Sequence, residues 1–256
     1  METDRLSPAR PAARVRVFAD ARALVRGAAA EVLRRGRRAL RERGAFDLAL
    51  AGGSTPQALY QTLGRSRSAR AALWRQAHLF WGDERVVPPE DPASNFGAAW
   101  AVGLERLAVP PSHVHRIAGE SADPRRAAVL YESLLRARFA GATWPRFDLV
   151  ILGVGEDGHT ASLFPDSAAL AERERWTAVA EGGAPPVPRV TLTLPVLNNA
   201  ACALFLVTGA AKAAVLERLV SPLGERPLPA QRVRPARGDL LVFADRAAAG
   251  AEGPVG

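Results

Sequence analysis

Apolar positions along this chain follow two rhythms, one of period two and one of period 3.6, and the two take turns. Residues 15–18 read as a strand. Residues 21–43 read as a long amphipathic helix with Leu24, Val25, Ala28, Val32 and Leu33 on one face. A short apolar strand at 47–51 runs into Gly52-Gly53, and a helix over 56–63 opens on Pro56. The strand at 78–81 runs into Gly82-Asp83-Glu84-Arg85. Ser94 suits the cap of a helix over 95–107. A further helix over 123–139 is expected to turn Leu130, Leu134 and Leu135 inward. The most apolar strand, 147–152, ends in Gly153-Val154-Gly155. Strands at 189–194 and 203–207, a helix from Ala210 and a strand at 239–244 complete the pattern. The Pro-rich stretches 181–188 and 222–229 read as loops. Alternating strand and helix predict an α/β fold: a mostly parallel sheet with helices on both faces, in a single domain over 1–256. Segment 1–13 is expected to be poorly ordered and 249–256 to form a tail.

Composition narrows the class. Hydrophobic residues make up 48% and charged residues 23%, as in an ordinary globular protein. The single cysteine, Cys202, excludes an internal disulfide and lies in an apolar run that suits the core. No apolar stretch reaches the roughly 18 residues that a membrane span needs, and residues 1–14 lack the apolar core of a secretory signal. A cytoplasmic protein without a membrane partner is expected. Net charge is +8. The densest basic run, Arg34, Arg35, Arg37, Arg38, Arg41 and Arg43, falls within one helix and reads as a solvated face. No helix-turn-helix, zinc or aromatic stacking pattern supports a nucleic-acid partner. The excess of cations suits a small anionic substrate.

In an open parallel sheet, ligands bind outside the carboxyl ends of the strands. Four polar loops fall at such ends. In Gly52-Gly53-Ser54-Thr55-Pro56 the glycines permit a sharp turn, and Ser54 or Thr55 can cap a helix whose N–H groups and dipole favour an anion. It is neither a Walker loop nor a serine-hydrolase elbow. In Asp83-Glu84-Arg85, strand periodicity sends Asp83 and Arg85 one way and Glu84 the other; Arg85 suits a phosphate or an oxyanion, or a surface ion pair. In Gly153-Val154-Gly155-Glu156-Asp157-Gly158-His159-Thr160 a buried strand delivers two acids and a histidine. Imidazole titrates nearest neutrality of the side chains, and Asp157 can orient it. In Thr208-Gly209-Ala210-Ala211-Lys212 a lysine sits in a first helical turn, where the dipole disfavours it by about 0.3–1 kcal/mol unless an anion joins it. Arg189 is a further candidate cation. His113 and His115 lack a third ligand at metal spacing, and His78 reads as structural.

These segments, with Ser94-Asn95, Ala161-Ser162-Leu163-Phe164-Pro165 and Arg189-Val190-Thr191-Leu192-Thr193, resemble those of the 6-phosphogluconolactonase family, in the same order and over about residues 15–248. The resemblance implies a Rossmann-like fold of the sugar-phosphate isomerase superfamily. It also implies an enzyme that hydrolyses 6-phospho-D-glucono-1,5-lactone in the pentose phosphate pathway, without cofactor or metal. The implied roles are His159 as base, Asp157 as its orienting acid, and Arg85 or the N–H groups of the 155–158 turn as oxyanion donors. Gly52, Gly53, Ser54, Thr55, Asp83, Arg189 and Lys212 would bind substrate and phosphate. The expected partner is the phosphorylated sugar lactone alone, and the expected state a monomer or weak homodimer. The related deaminases carry a carboxylate five residues after the histidine; here Phe164 stands there, with Asp166 two further on. A deaminase or isomerase is therefore the weaker alternative, and a non-catalytic sugar-phosphate sensor the weaker still.

Overall fold

The structure is a computed structural model that describes residues 13–65, 71–182 and 186–250. The expected terminal segments 1–13 and 249–256 lie outside these residues, apart from Ala13, Ala249 and Gly250.

The strands are β1 (Arg14–Phe18), β2 (Phe46–Leu50), β3 (Ala77–Trp81), β4 (Asp83–Arg85), β5 (Val114–His115), β6 (Leu149–Leu152), β7 (Thr177–Gly182), β8 (Val187–Leu192), β9 (Cys202–Val207) and β10 (Asp239–Asp245). The helices are α1 (Ala21–Arg43), α2 (Ser54–Gly64), α3 (Ala71–Arg75), α4 (Asn95–Val102), α5 (Pro124–Arg138), α6 (Ala168–Ala171), α7 (Leu194–Asn198) and α8 (Ala213–Val220). Seven strands form one sheet in the order β1-β10-β9-β6-β2-β3-β5. Every pairing in it is parallel. Its central strands β2, β6 and β9 are buried along their whole length, as a sheet covered on both faces requires. Cys202 is buried in β9.

Helix α1 shows why these residues fold locally as they do. Asp20 caps its first turn by accepting from the Ala23 N–H, and Gly44 ends it in the left-handed conformation. Leu24, Val25, Ala28, Val32 and Leu33 face the core as expected. Its basic run is exposed except at Arg35, which is only 7% exposed and pairs with Glu31 and Asp239. The solvated-face reading therefore fails at that position.

Three further expectations change. Helix α5 turns Ala127, Ala128, Tyr131 and Leu135 inward and leaves Leu130 51% exposed. The reason is Tyr131, whose hydroxyl bonds both the N–H and the carbonyl of Trp81 and so fixes the helix's rotation. Helix α4 stops at Val102, because the chain breaks at Gly103 into a 3₁₀ turn, Leu104–Arg106. Much of the expected loop at 181–188 is strand. β7 and β8 pair antiparallel, with β4 on the other side of β8, in a separate three-stranded sheet. Pro188 still serves this sheet, since its carbonyl accepts from Val86.

The strand order places the site. From β2 the chain moves through α2 to β3 and then towards β5, whereas β6, β9 and β10 run towards the opposite edge. Adjacent β2 and β6 therefore form a topological switch point, where the loops leaving their carboxyl ends diverge and open a crevice.

Candidate active site

The loops after β2 and β6 meet at this crevice, joined by β4, β8 and the loop after β9. Together they line a cleft of about 320 Å³. Gly52, Gly53, Ser54, Thr55, Asp83, Arg85, His159, Arg189 and Lys212 all line it. Asp157 stands behind His159 rather than on the wall of the cleft.

The turn after β6 is built to hold one imidazole. Asp157 Oδ1 accepts from the His159 backbone N–H at 3.1 Å and lies 2.6 Å from His159 Nδ1. An Asx turn and a side-chain contact thus share one oxygen. A Cβ on Gly155 would collide with both the imidazole and the Asp157 carboxylate, so glycine is required there. Burial disfavours the Asp157 anion, but the His159 N–H groups outweigh it and hold the carboxyl below its ordinary range. The N–H groups of Gly155 and Gly158 are engaged within the turn, by the carbonyls of His159 and Gly155. Of the turn expected to supply oxyanion donors, these two N–H groups are thus already engaged.

At the opposite wall α2 begins directly after β2. Its N-cap is Gly53, at φ +99°, a conformation that glycine adopts without strain. Neither Ser54 nor Thr55 caps the helix, contrary to expectation, since both already belong to it. Thr55 Oγ1 instead lies 2.7 Å from Thr208 Oγ1, which ties the α2 N-terminus to the loop that carries Lys212. Lys212, the only lysine of the chain, ends a 3₁₀ turn and starts α8. Its Nζ lies 3.9 Å from the exposed carboxylate of Glu156.

The third wall comes from the small sheet. Asp83 and Arg85 face the cleft and Glu84 faces away, as the period of two predicts. Glu84 is buried and accepts from the N–H groups of Arg85, Asn95 and Phe96 and from the Ser94 hydroxyl. Burial raises its pKa, against the pull of these backbone donors. It thereby closes the N-terminus of α4, where Ser94 is the expected cap. Among the described residues the Arg85 guanidinium forms no ion pair. Its Nη1 donates to the Ala93 carbonyl at 3.0 Å and to Asn95 Oδ1 at 2.5 Å. Across β4 and β8 it stands directly opposite Arg189. Burial, together with this like charge, pulls the Arg189 pKa below the usual arginine value. Asp83, 3.9 Å from Arg189, also accepts from Ser162 Oγ at 2.6 Å.

Asn95 and Ser162 carry more of this frame than their sequence context suggested. Asn95 bonds Arg85 and Asp83 together, and Ser162 anchors Asp83. The signal that could have found them is a polar residue in an otherwise apolar segment, which must find a partner once buried.

The family profile for glucosamine-6-phosphate isomerases/6-phosphogluconolactonase matches residues 19–242. The human 6-phosphogluconolactonase is 44% identical over 212 residues, 81% of each chain. That of a Nostoc strain is 37% identical over 241 residues, 93% of this chain and 97% of its own. The chain belongs to this family. Among solved structures, the Trypanosoma brucei 6-phosphogluconolactonase superposes with a TM-score of 0.83 at 28% identity, covering 95% of this chain and all of its own. The Thermotoga maritima enzyme gives 0.78 at 30% identity over 90% of this chain and 98% of its own. A monomeric glucosamine-6-phosphate deaminase, 20% identical with a TM-score of 0.79, shares the fold, so fold alone does not choose between the family's chemistries.

Proposed function

We propose that this chain hydrolyses 6-phospho-D-glucono-1,5-lactone to 6-phosphogluconate, as an enzyme of the oxidative pentose phosphate pathway. One observation carries the proposal: His159, oriented by Asp157, lines the same cleft as the cations Arg85, Arg189 and Lys212. With Nδ1 turned to Asp157, Nε2 is the nitrogen left to act as base. It takes a proton from water as the water oxygen attacks the lactone carbonyl carbon. When the tetrahedral adduct collapses, the bond to the ring oxygen breaks and His159 returns the proton to that oxygen. General base catalysis of this kind is worth about 10²–10⁴-fold. The backbone of Gly53–Thr55 and the Lys212 ammonium are suited to the phosphate. With two turn N–H groups engaged, the guanidiniums of Arg85 and Arg189 remain for the developing oxyanion. Asp83 repels a phosphate, but it fixes Arg189 and suits a sugar hydroxyl.

The isomerase and deaminase chemistry requires a second proton-transferring group beside the histidine. The apolar Phe164 ring stands next to His159, and Asp166 lines a separate cavity with Arg218 and Arg232. We place the enzyme in the cytoplasm, as a monomer or weak homodimer that needs no nucleic-acid or membrane partner. No described helix is long and apolar enough to cross a membrane. The deciding experiment generates the lactone in situ from glucose 6-phosphate and its dehydrogenase and follows 6-phosphogluconate. Acceleration over spontaneous hydrolysis is expected; folded protein without acceleration would discard the activity.

A further inference from the structure

We infer that Phe164 is a positioning residue that sets the imidazole plane of His159 and its spacing from the Arg189 guanidinium; the inference rests on the lactonase reading. The Phe164 ring contacts both groups. Its centroid lies 4.6 Å from that of the imidazole, with the planes 39° apart, and Arg189 Cζ lies 5.5 Å from the same ring. His159 and Arg189 both line the cleft, whereas Phe164 is buried and does not. Phe164 therefore acts on the reaction through its neighbours.

The chain doubles back to bring the ring there. Ala161 takes a left-handed conformation at φ +49°, costly for a residue with a side chain. Thr160 and Leu163 then bridge, with the Leu163 N–H donating to the Thr160 carbonyl at 2.9 Å. The Phe164 carbonyl is held by the Ser167 hydroxyl at 2.9 Å. On its far side the ring rests on the backbone of β7. A Cβ on Gly182 would come within 2.5, 2.6 and 2.8 Å of three of its carbons.

Two restraints on the imidazole result, and they act in different directions. Asp157 holds one edge at Nδ1, which fixes the tautomer but leaves the ring free to swing about that bond. The Phe164 face blocks the swing, so Nε2 keeps a fixed aim. On the same ring, attraction between the guanidinium and the aromatic face holds Arg189. One side chain thus sets the distance between the base and a cation of the cleft, and the β7–β8 hairpin supports it.

Phe164→Leu keeps the apolar volume and removes the flat face. It should lower kcat about 10–100-fold, as small misplacements of reacting groups do, with a smaller change in KM. Gly182→Ala touches neither the cleft nor the base, yet it pushes the same ring and should lower kcat in the same direction. In the Phe164→Leu background Gly182→Ala should cost little, because the ring it displaces is gone. Each variant is checked for folding by its melting curve, and the His159 ring protons are followed by NMR. Loss of the aromatic ring current should shift them in Phe164→Leu. Wild-type kcat in both single variants of an active enzyme would overturn the inference and leave the lactonase reading intact. If the wild type does not accelerate the lactone, that reading falls by itself, and the NMR shift still decides the positioning. His159 protons that do not move in Phe164→Leu overturn it.

Discussion

The two ends of the parallel sheet treat charge in opposite ways. At the amino end, where β6 and β10 begin, each central arginine has an acid at contact distance. Arg35 pairs with Glu31 and Asp239, Arg43 with Asp148, and Arg138 with Asp47. At the carboxyl end the acids stand farther from the cations. Arg189 and Lys212 stand 3.9 Å from theirs, Arg85 meets only neutral oxygens, and Arg85 faces Arg189 across two strands. Like charges opposite one another in a sheet are unfavourable by themselves. The amino end pairs Arg35, Arg43 and Arg138 within the chain, whereas the proposed function assigns the cations of the carboxyl end to an anionic substrate. The cleft cations thus differ from Arg35, Arg43 and Arg138, which have acids at contact distance.

Breaking each end separately tests this contrast. The largest effect is expected at the dyad. His159→Ala should lower kcat by about 10²-fold or more with little change in melting temperature, because the base acts only on the transition state. Near-wild-type turnover would remove His159 from the mechanism. At the amino end, Arg35→Ala should cost about 3 kcal/mol in denaturant unfolding, since it leaves two acids without their buried cation. The activity of the folded fraction should not change; a loss of kcat with stability intact would mean that the two ends are coupled. A smaller effect is expected of the cleft cations. Lys212→Ala should raise KM about tenfold at constant kcat, as loss of ground-state binding by one charge does. Arg85→Ala should instead lower kcat if its guanidinium serves the oxyanion, and a pure KM effect would move it to the phosphate.

A separate effect concerns acid. His78, His113 and His115 stack at the β3–β5 edge, with His78 Nδ1 3.0 Å from His115 Nε2. Burial, helped by the charge of Arg138, pulls the pKa of His78 down to about 3 and that of His115 to about 4. Unfolded histidine takes up its proton near 6.5, so between about 6.5 and 3 the unfolded chain binds more protons than the folded one. Stability is therefore complete above about 6.5 and falls as pH drops through that window. His115→Phe should flatten the fall in melting temperature between pH 6 and 4. An undiminished slope would exonerate the stack.

Much of the large sheet was readable because its signals are local. The run 149–152 is apolar throughout, as suits a strand buried on both faces, and its glycine-rich exit pointed to the pair Asp157 and His159. The small sheet was readable only in part: the alternation at 83–85 and a strand from 189 were expected, the strand at 177–182 was not. Its strand at 177–182 mixes exposed and buried positions, and Gly182 and Pro188 look like loop punctuation until Gly182 is seen across from Val187 and Pro188 across from Glu181. The rotation of α5 was also hidden, because it follows from Tyr131 reaching Trp81, fifty residues away along the chain. The cations could be named singly, but their convergence could not. That Arg85 faces Arg189 follows from a pairing between strands a hundred residues apart.

The solitary lysine has a practical consequence. Every other basic aliphatic side chain is an arginine, so reagents that acylate amines meet one side-chain target in the whole molecule, and it stands in the cleft. An anion seated at that ammonium would slow its acylation, so the rate of labelling would report on occupancy with no residue engineered to receive the reagent.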